Sequence, residues 1–226
     1  MVVVDDSDAG DLVLEGAEVI RAGGLGFARA VNLGLDAAQA RGATHALLLN
    51  DDAVLEPGSL DALRAAWGPG VGAVGPVLLD ADGAVESAGF HRSRWGRVRV
   101  RRSVPPAPTA VQGLSGACLL VGAGERLDVA FAHGMEDLDL CSRLARRGLV
   151  SLLVPSARCR HVGGATLSRR SPEAQRAAVS GHLRLVGGGI RSPIPLGLAL
   201  AQVAREGGSA GRLRGIWRGW RDWRRR

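Results

Sequence analysis

The chain has 226 residues and 46% hydrophobic content, enough for one large domain or for a domain plus a tail. Its net charge of +7 is concentrated at one end: Arg205 to Arg226 carry eight Arg against Glu206 and Asp222, which accounts for +6. The body is therefore close to neutral and does not read as a nucleic-acid-binding domain. All 29 basic residues are Arg, a coding bias that removes weight from any argument on Arg abundance. Cys118, Cys141 and Cys159 are far apart with no C-x-x-C, so neither a disulfide framework nor a zinc site is indicated, and a reducing, cytoplasmic compartment fits. No apolar run is long enough to span a bilayer, and no signal peptide is legible ahead of Val2-Val3-Val4.

In chain order, Val2 to Val4 reads as a short buried strand ending on Asp5-Asp6-Ser7-Asp8, and Glu18 to Arg21 as a second. The turn Gly23-Gly24-Leu25-Gly26-Phe27 opens a helix over Ala28 to Ala40, with Phe27, Val31, Leu35 and Ala38 at helical spacing. The stretch His45 to Leu60 organises the rest: a buried strand, Ala46 to Leu49, stops on Asn50-Asp51-Asp52. A helix from Ser59 to Trp67 follows the Pro57-Gly58-Ser59 turn. Val71 to Val74 and Val77 to Leu79 read as strands around Gly75-Pro76. Asp80 to Thr109 is polar and Pro-broken, and reads as a variable excursion or flexible loop. Gly113 to Val121 reads as a strand, Gly134 to Arg147 as a helix with Leu138, Cys141 and Leu144 buried, and Val150 to Val154 as a strand ending on Pro155. His161-Val162-Gly163-Gly164 closes the body, and from Ser171 the chain is helical. Strands alternating with helices predict an α/β fold: a mostly parallel sheet with helices on both faces over residues 1–170, and a helical C-terminal extension over 171–226.

Four short motifs rich in carboxylate or imidazole fall at strand or helix edges: Asp5-Asp6, Asn50-Asp51-Asp52, Glu136-Asp137 and His161. The carboxyl ends of strands are where open α/β sheets bind ligands. Adjacent carboxylates there suit Mg²⁺ or Mn²⁺, which in turn hold phosphates. The competing reading of Asp51-Asp52 is a solvated acidic turn capping a helix, and that of Glu136-Asp137 is complementation of a helix dipole. A lone His is more often structural than a ligand. All four together at loop edges are harder to explain that way.

At these residues the chain resembles the family-2 glycosyltransferases with the GT-A (Rossmann-like) fold, in the rhamnosyltransferase-like branch. The matching segments are VVVDDSDAGD at 2–11, GGLGFARAVNLGL at 23–35, LLLNDDAVLEPGSL at 47–60, GLSGACLLV at 113–121, GMEDLDLCSRLARRGL at 134–149 and VPSARCRHVGGATL at 154–167. The resemblance implies an inverting transferase that passes a sugar from a dTDP-, UDP- or GDP-linked nucleotide-diphospho-sugar to an acceptor hydroxyl in a glycan or lipid-linked acceptor. It implies that Asp5 or Asp6 contacts the nucleoside, with Asn32, Asp51 and Gly116 completing the donor site. Asn50 and Asp52 stand at the outer positions of the family's D-x-D motif, and Asp52, Asn50 and His161 would hold Mg²⁺ or Mn²⁺. Asp137, beside Glu136, matches the general base, and small residues in Gly113–Cys118 would let the backbone approach the donor sugar. Two departures are visible: Asn50 replaces the first Asp of D-x-D, and Gly24 stands where the branch usually has Asn. The family's first strand and helix find no counterpart ahead of Val2, which implies an N-terminally shortened domain or a start recorded too late.

At the far end, Leu213, Ile216, Trp217, Trp220 and Trp223 share one helical face and Arg214, Arg218, Arg221 and Arg225 another. That pattern suits an anionic membrane surface through 212–226, on the inner face of the plasma membrane, or a C-terminal helix packed on the domain. Two further readings are a catalytically dead glycosyltransferase remnant acting as a binding module and a basic nucleic-acid or membrane-surface protein supported by the tail alone.

Overall fold

The computed structural model describes residues 1–93, 98–131, 134–162, 176, 180–181, 183–185 and 210–224. The described strands are β1 (Val2–Asp5), β2 (Glu18–Arg21), β3 (His45–Leu49), β4 (Ala53–Leu55), β5 (Val71–Leu79), β6 (Val85–Ser87), β7 (Phe90–Arg92), β8 (Val98–Val100), β9 (Thr109–Val111), β10 (Cys118–Gly122) and β11 (Val150–His161). The helices are α1 (Phe27–Ala40), α2 (Ser59–Ala65), α3 (Glu136–Arg146) and α4 (Ala210–Arg224).

β5 is the centre. Its nine residues VGAVGPVLL carry no charge, and eight of them are buried, the pattern of a strand covered on both faces. It is one strand and not the two expected from the Gly75-Pro76 pair. Pro76 lies opposite Val154, immediately before the register shift in β11, an irregularity of the kind at which a sheet accepts proline. The main sheet runs β3-β10-β5-β11-β4, with β6 added beside β5 and β9 beside β11. The sheet is mixed: β5 and β11 are parallel, while β10 runs antiparallel to both β3 and β5. β1 and β2 form a separate parallel pair, and α1 packs against both β1 and β3.

Alternation along the strands sorts the core into two layers. Leu119, Val121 and Ala73 face α1 and α3, where Ala28, Leu35, Leu140, Cys141 and Leu144 meet them. Leu120, Val74 and Val154 face the other way onto Leu63 of α2. Helices thus cover both faces, and the expected stripes of α1 and α3 are buried: Leu35 is 1% exposed and Leu144 0%. Cys118, Cys141 and Cys159 are free thiols buried in these layers.

The stretch expected to be a flexible excursion is ordered wherever it is described. β6 folds back on β5 through the Asp80–Gly83 turn, β7 and β8 form a hairpin, and β9 returns to pair with Ser151–Leu153 of β11. Backbone pairing outweighed the local Pro and Arg content. β11 also runs further than expected. It passes Pro155 through a register shift between Val154 and Arg158 and continues to His161, so the imidazole sits on the strand itself. Short β4, absent from the sequence reading, pairs with Cys159–His161.

The extension 171–226 is described only in part, and within it Gly181 and Leu185 contact the body. Leu183 and Leu185 are buried, Arg92 donates from Nη1 to the Leu185 carbonyl (3.0 Å), and Ile216 of α4 is buried.

Candidate functional site

Asp52 and His161 meet because β4 pairs antiparallel with the end of β11. Ala53 lies opposite His161, and Val162 N–H donates to the Asp52 carbonyl at 3.0 Å. This brings Asp52 Oδ1 to 3.3 Å from His161 Nε2. The contact is an ion-pair distance without hydrogen-bond alignment, and Asp52 Oδ1 is buried with no hydrogen-bond partner. A buried carboxylate oxygen without a donor is costly unless a cation meets it. A carboxylate oxygen and an imidazole nitrogen about 3 Å apart match two neighbouring ligands of one octahedral ion at about 2.1 Å. Among the described residues no group of three or more His, Cys, Asp or Glu side chains gathers into a cage. Two protein ligands with the remainder supplied by water and phosphate is the usual arrangement for Mg²⁺-type ions. The other face of the ring is occupied as well: His161 Nδ1 lies 2.9 Å from Glu86 Oε2. Glu86 comes from β6, in a segment where the sequence reading found no site residue.

The turn that carries Asp52 is closed by Ala53 N–H on the Asn50 carbonyl (3.1 Å), and Asn50 N–H donates to the Ala117 carbonyl (3.0 Å). The D-x-D-like turn is thereby tied to the 113–117 loop. Asp51 projects outward and is exposed.

That loop meets the second acidic pair. Gly116 N–H donates to Asp137 Oδ2 at 2.9 Å, and Leu138 N–H to Asp137 Oδ1 at 2.8 Å. Burial raises the Asp137 pKa, against the pull of these two N–H groups. Glu136 is 6% exposed and its Oε2 has no partner. Burial first, and the neighbouring Asp137 second, push its carboxyl up to about 7. The pair begins just after Met135, whose φ of +78° is a left-handed conformation uncommon for a non-glycine residue. Gly181 of the extension packs against it: a Cβ there would lie 3.3 Å from Met135 Cγ.

A stability consequence follows with a definite sign. The folded pKa of Glu136 lies above its unfolded value of 4.5. Its contribution to stability is therefore fully present below pH 4.5 and is lost as pH rises through about 7. Chemical denaturation of wild type is expected to lose roughly 2–3 kcal/mol between pH 5 and 8, and Glu136→Gln to flatten that fall. Parallel pH profiles for the two proteins would rule out this titration.

The remaining expected residues sort differently. Asp6 accepts Leu25 N–H (2.7 Å) and Gly26 N–H (2.9 Å), so its carboxylate holds the glycine turn that starts α1. Gly26 needs its φ of +87° there. Asp5 is buried at the tip of β1 with Oδ2 unpartnered, and the Ser7 hydroxyl and N–H lower its pKa. Asn32 Nδ2 donates to the Leu127 carbonyl (2.9 Å) and its Oδ1 accepts Leu127 N–H (2.8 Å), so both ends of the amide tie α1 to the 127 turn. Gly116 matters through its N–H. A Cβ on it would sit 3.5 Å from Asp137 and Phe27, an ordinary contact, whereas on Gly113 it would lie 2.1 Å from Leu138 Cδ2. The small residue that close packing demands is Gly113, and what approaches it is α3.

A mixed sheet covered on both faces, with carboxylates and an imidazole gathered at its strand tips, has the architecture of the GT-A glycosyltransferase fold. In sequence the chain resembles the family-2 glycosyltransferases of the rhamnosyltransferase-like branch. It is 34% identical over 141 residues to the N-acetylglucosaminyl-diphospho-decaprenol L-rhamnosyltransferase of Mycobacterium tuberculosis, in both strain CDC 1551 / Oshkosh and strain ATCC 25618 / H37Rv. The match covers 51% of this chain and 46% of the relative, so the chain spans about half the length of these relatives. Its fold matches GalNAc-T7, crystallised with UDP, GalNAc and Mn²⁺, at a TM-score of 0.60 and 15% identity, covering 82% of this chain and 41% of that one. It also matches the mannosyltransferase PcManGT from Pyrobaculum calidifontis, in complex with GDP-Man and Mn²⁺, at a TM-score of 0.51 and 15% identity, covering 93% and 67%. No protein-family model matches the chain.

Proposed function

We propose that the chain is an inverting, divalent-metal-dependent glycosyltransferase domain. It moves a hexosyl or rhamnosyl residue from a nucleotide-diphospho-sugar to a hydroxyl of a lipid-linked or polysaccharide acceptor of the cell envelope. The observation that carries this reading is the pairing of Asp52 with His161 at the strand tips, around a buried carboxylate oxygen that has no donor. The relative's name, with its polyprenyl-diphosphate acceptor and rhamnosyl group, sets the first substrates to try.

Asp52 and His161 would hold Mg²⁺ or Mn²⁺, with the neutral amide oxygen of Asn50 on the same turn. The ion would supply positive charge to the diphosphate as it leaves. Asp5, at the tip of β1, is the residue for the nucleoside; Asp6 shapes the adjoining turn. Asp137 takes the proton of the acceptor hydroxyl as that oxygen bonds to the anomeric carbon and the bond to the diphosphate breaks. Gly116 N–H holds the accepting carboxylate in place. Burial favours this role, since a base is most effective with a pKa drawn toward neutrality.

The test is transfer to a polyprenyl-diphospho-N-acetylglucosamine with dTDP-, UDP- and GDP-sugars and Mn²⁺ or Mg²⁺. One donor should give a product of inverted anomeric configuration by NMR. Absence of transfer and of nucleotide diphosphate release with every pair would reject the assignment.

A membrane-surface role belongs to α4. Its apolar residues divide: Ile216 is buried, while Leu213 and Trp217 are 45% and 56% exposed beside exposed Arg214, Arg218 and Arg221. Trp217 and Trp220 stack with centroids 4.8 Å apart. Among the described residues no helix is long and apolar enough to cross a membrane. An outward Trp and Leu ringed by Arg suits the headgroup region of an anionic leaflet, where a lipid-linked acceptor would lie. Co-sedimentation with phosphatidylglycerol vesicles, but not with phosphatidylcholine vesicles, is expected for the full chain and is expected to fall at least tenfold in Trp217→Ala/Arg218→Ala. Equal sedimentation of both proteins would dismiss it.

A further inference from the structure

We propose that Glu86 is a positioning residue that fixes the tautomer of His161 and thereby makes its Nε2 a ligand atom. This rests on the metal site proposed above and adds a residue that the sequence motifs do not contain.

The placement follows from strand order. β11 ends at His161, β5 runs parallel beside it with Leu79 opposite Arg160, and β6 folds back on β5 with Ser87 opposite Leu78. Glu86 therefore arrives at the end of β11 from the side opposite to β4, which brings Asp52. The imidazole ends up between two carboxylates, one at each nitrogen: Glu86 Oε2 at 2.9 Å from Nδ1 and Asp52 Oδ1 at 3.3 Å from Nε2. All three side chains are largely withdrawn from water, with exposures of 16% for His161, 21% for Asp52 and 24% for Glu86.

The two contacts are not equivalent. The Glu86 contact is a hydrogen bond, and the Asp52 contact is not aligned as one, which leaves Asp52 Oδ1 without a donor. A neutral imidazole has one N–H, and this geometry assigns it to Nδ1. Nε2 then keeps its lone pair beside an unpartnered carboxylate oxygen 3.3 Å away. Two electron-rich atoms this close repel unless a cation meets both. With the proton moved to Nε2, a turn of the ring would let His161 donate to Asp52, consume the orphan oxygen and close the site. Glu86 selects against that state. A carboxylate on the far nitrogen is the arrangement that orients ligating histidines and raises their basicity, and its loss lowers metal affinity by about 10- to 100-fold. Because Glu86 binds the nitrogen remote from Asp52, it does not share the ion. Its effect reaches the ion only through the ring.

The test uses the full chain, without metal and then with Mn²⁺ alone. Ring ¹⁵N shifts of the metal-free protein, with the His161 signals assigned against His161→Asn among the five histidines, report the tautomer directly. The expected result is Nδ1–H for His161 in wild type and a mixed or reversed tautomer in Glu86→Ala. Mn²⁺ affinity, read from the EPR signal of the free aqua ion, should fall about 10- to 100-fold in Glu86→Ala. It should recover most of that in Glu86→Gln, whose amide oxygen still accepts from Nδ1–H. A bystander glutamate would not move the ring shifts. An Nε2–H or mixed tautomer in wild type, or unchanged Mn²⁺ affinity in Glu86→Ala, overturns the proposal. Wild-type protein that leaves Mn²⁺ free overturns the metal site itself, and the ring shifts then show separately whether Glu86 holds the imidazole. If Glu86→Ala does not fold, Glu86→Gln against Glu86→Leu reads the same contrast at similar volume.

Discussion

Asp52→Asn is expected to abolish the metal-dependent stabilisation of the chain by nucleotide and to reduce transfer by at least 100-fold. In wild type, a nucleoside diphosphate with Mn²⁺ at about 100 times its dissociation constant adds about 2.7 kcal/mol. For a chain of this size, at about 2–4 °C per kcal/mol, that raises the thermal midpoint by about 5–11 °C. Asn keeps the shape and one oxygen but removes the charge that a hard cation requires. The substitution should not harm the metal-free fold, because Asp52 Oδ1 has no hydrogen bond to lose and the Asp52 backbone keeps its bond from Val162 N–H. The measurement is a thermal scan with UDP, dTDP and GDP, each with and without Mn²⁺, on both proteins. The pair that gives a shift names the nucleotide. A shift of the same size in Asp52→Asn would remove Asp52 from the site, and His161 with it.

Asp137→Asn is expected to lower the transfer rate by about 10²- to 10⁴-fold while leaving donor affinity within about threefold. An amide oxygen can still accept Gly116 N–H, so the 113–117 loop should stay anchored. What is lost is the basicity that the proposed proton transfer requires. The control on the same helix is Asp139→Asn. Asp139 pairs with Arg143 at 2.6 Å, a contact of α3 with itself, and its loss should change the rate by less than about tenfold. Single-turnover rates alongside donor dissociation constants separate the two effects. If Asp137→Asn loses donor affinity in proportion to rate, the carboxylate anchors the loop and is not the base. Glu136→Gln would then be the next protein to assay, since Glu136 Oε2 is the buried oxygen nearby that no donor occupies.

Both experiments concern residues that were legible as motifs before any coordinates. Asn50-Asp51-Asp52 and His161 were readable because polar groups that end a strand stand out from their surroundings, and Glu136-Asp137 because two carboxylates open a helix. The same reasoning located α1 and α3 to within two residues, since a 3.6-residue stripe such as Leu138, Cys141 and Leu144 arises from burial of one helix face. It did not foresee that both ends of the Asn32 amide bind the backbone of Leu127, 95 positions away. It also failed on Asp80–Thr109. Short strands such as β6 and β9 carry almost no periodicity of their own and form only because β5 and β11 present edges to them.

The sequence by itself determined the layering of the fold and which polar groups fall at the strand and helix ends. Apolar periodicity and the placement of carboxylates are local properties, written within windows of ten or so residues. Only the tertiary structure decided how those groups work together. It divided Asp5 from Asp6, giving one a buried open oxygen and the other a turn to hold. It joined Asp137 to Gly116 and Asp52 to His161, contacts whose partners are 21 and 109 positions apart in the chain. It also set Glu86 behind the imidazole from a strand with no motif of its own. Such contacts depend on strand order and register, which are set by the burial of the whole core.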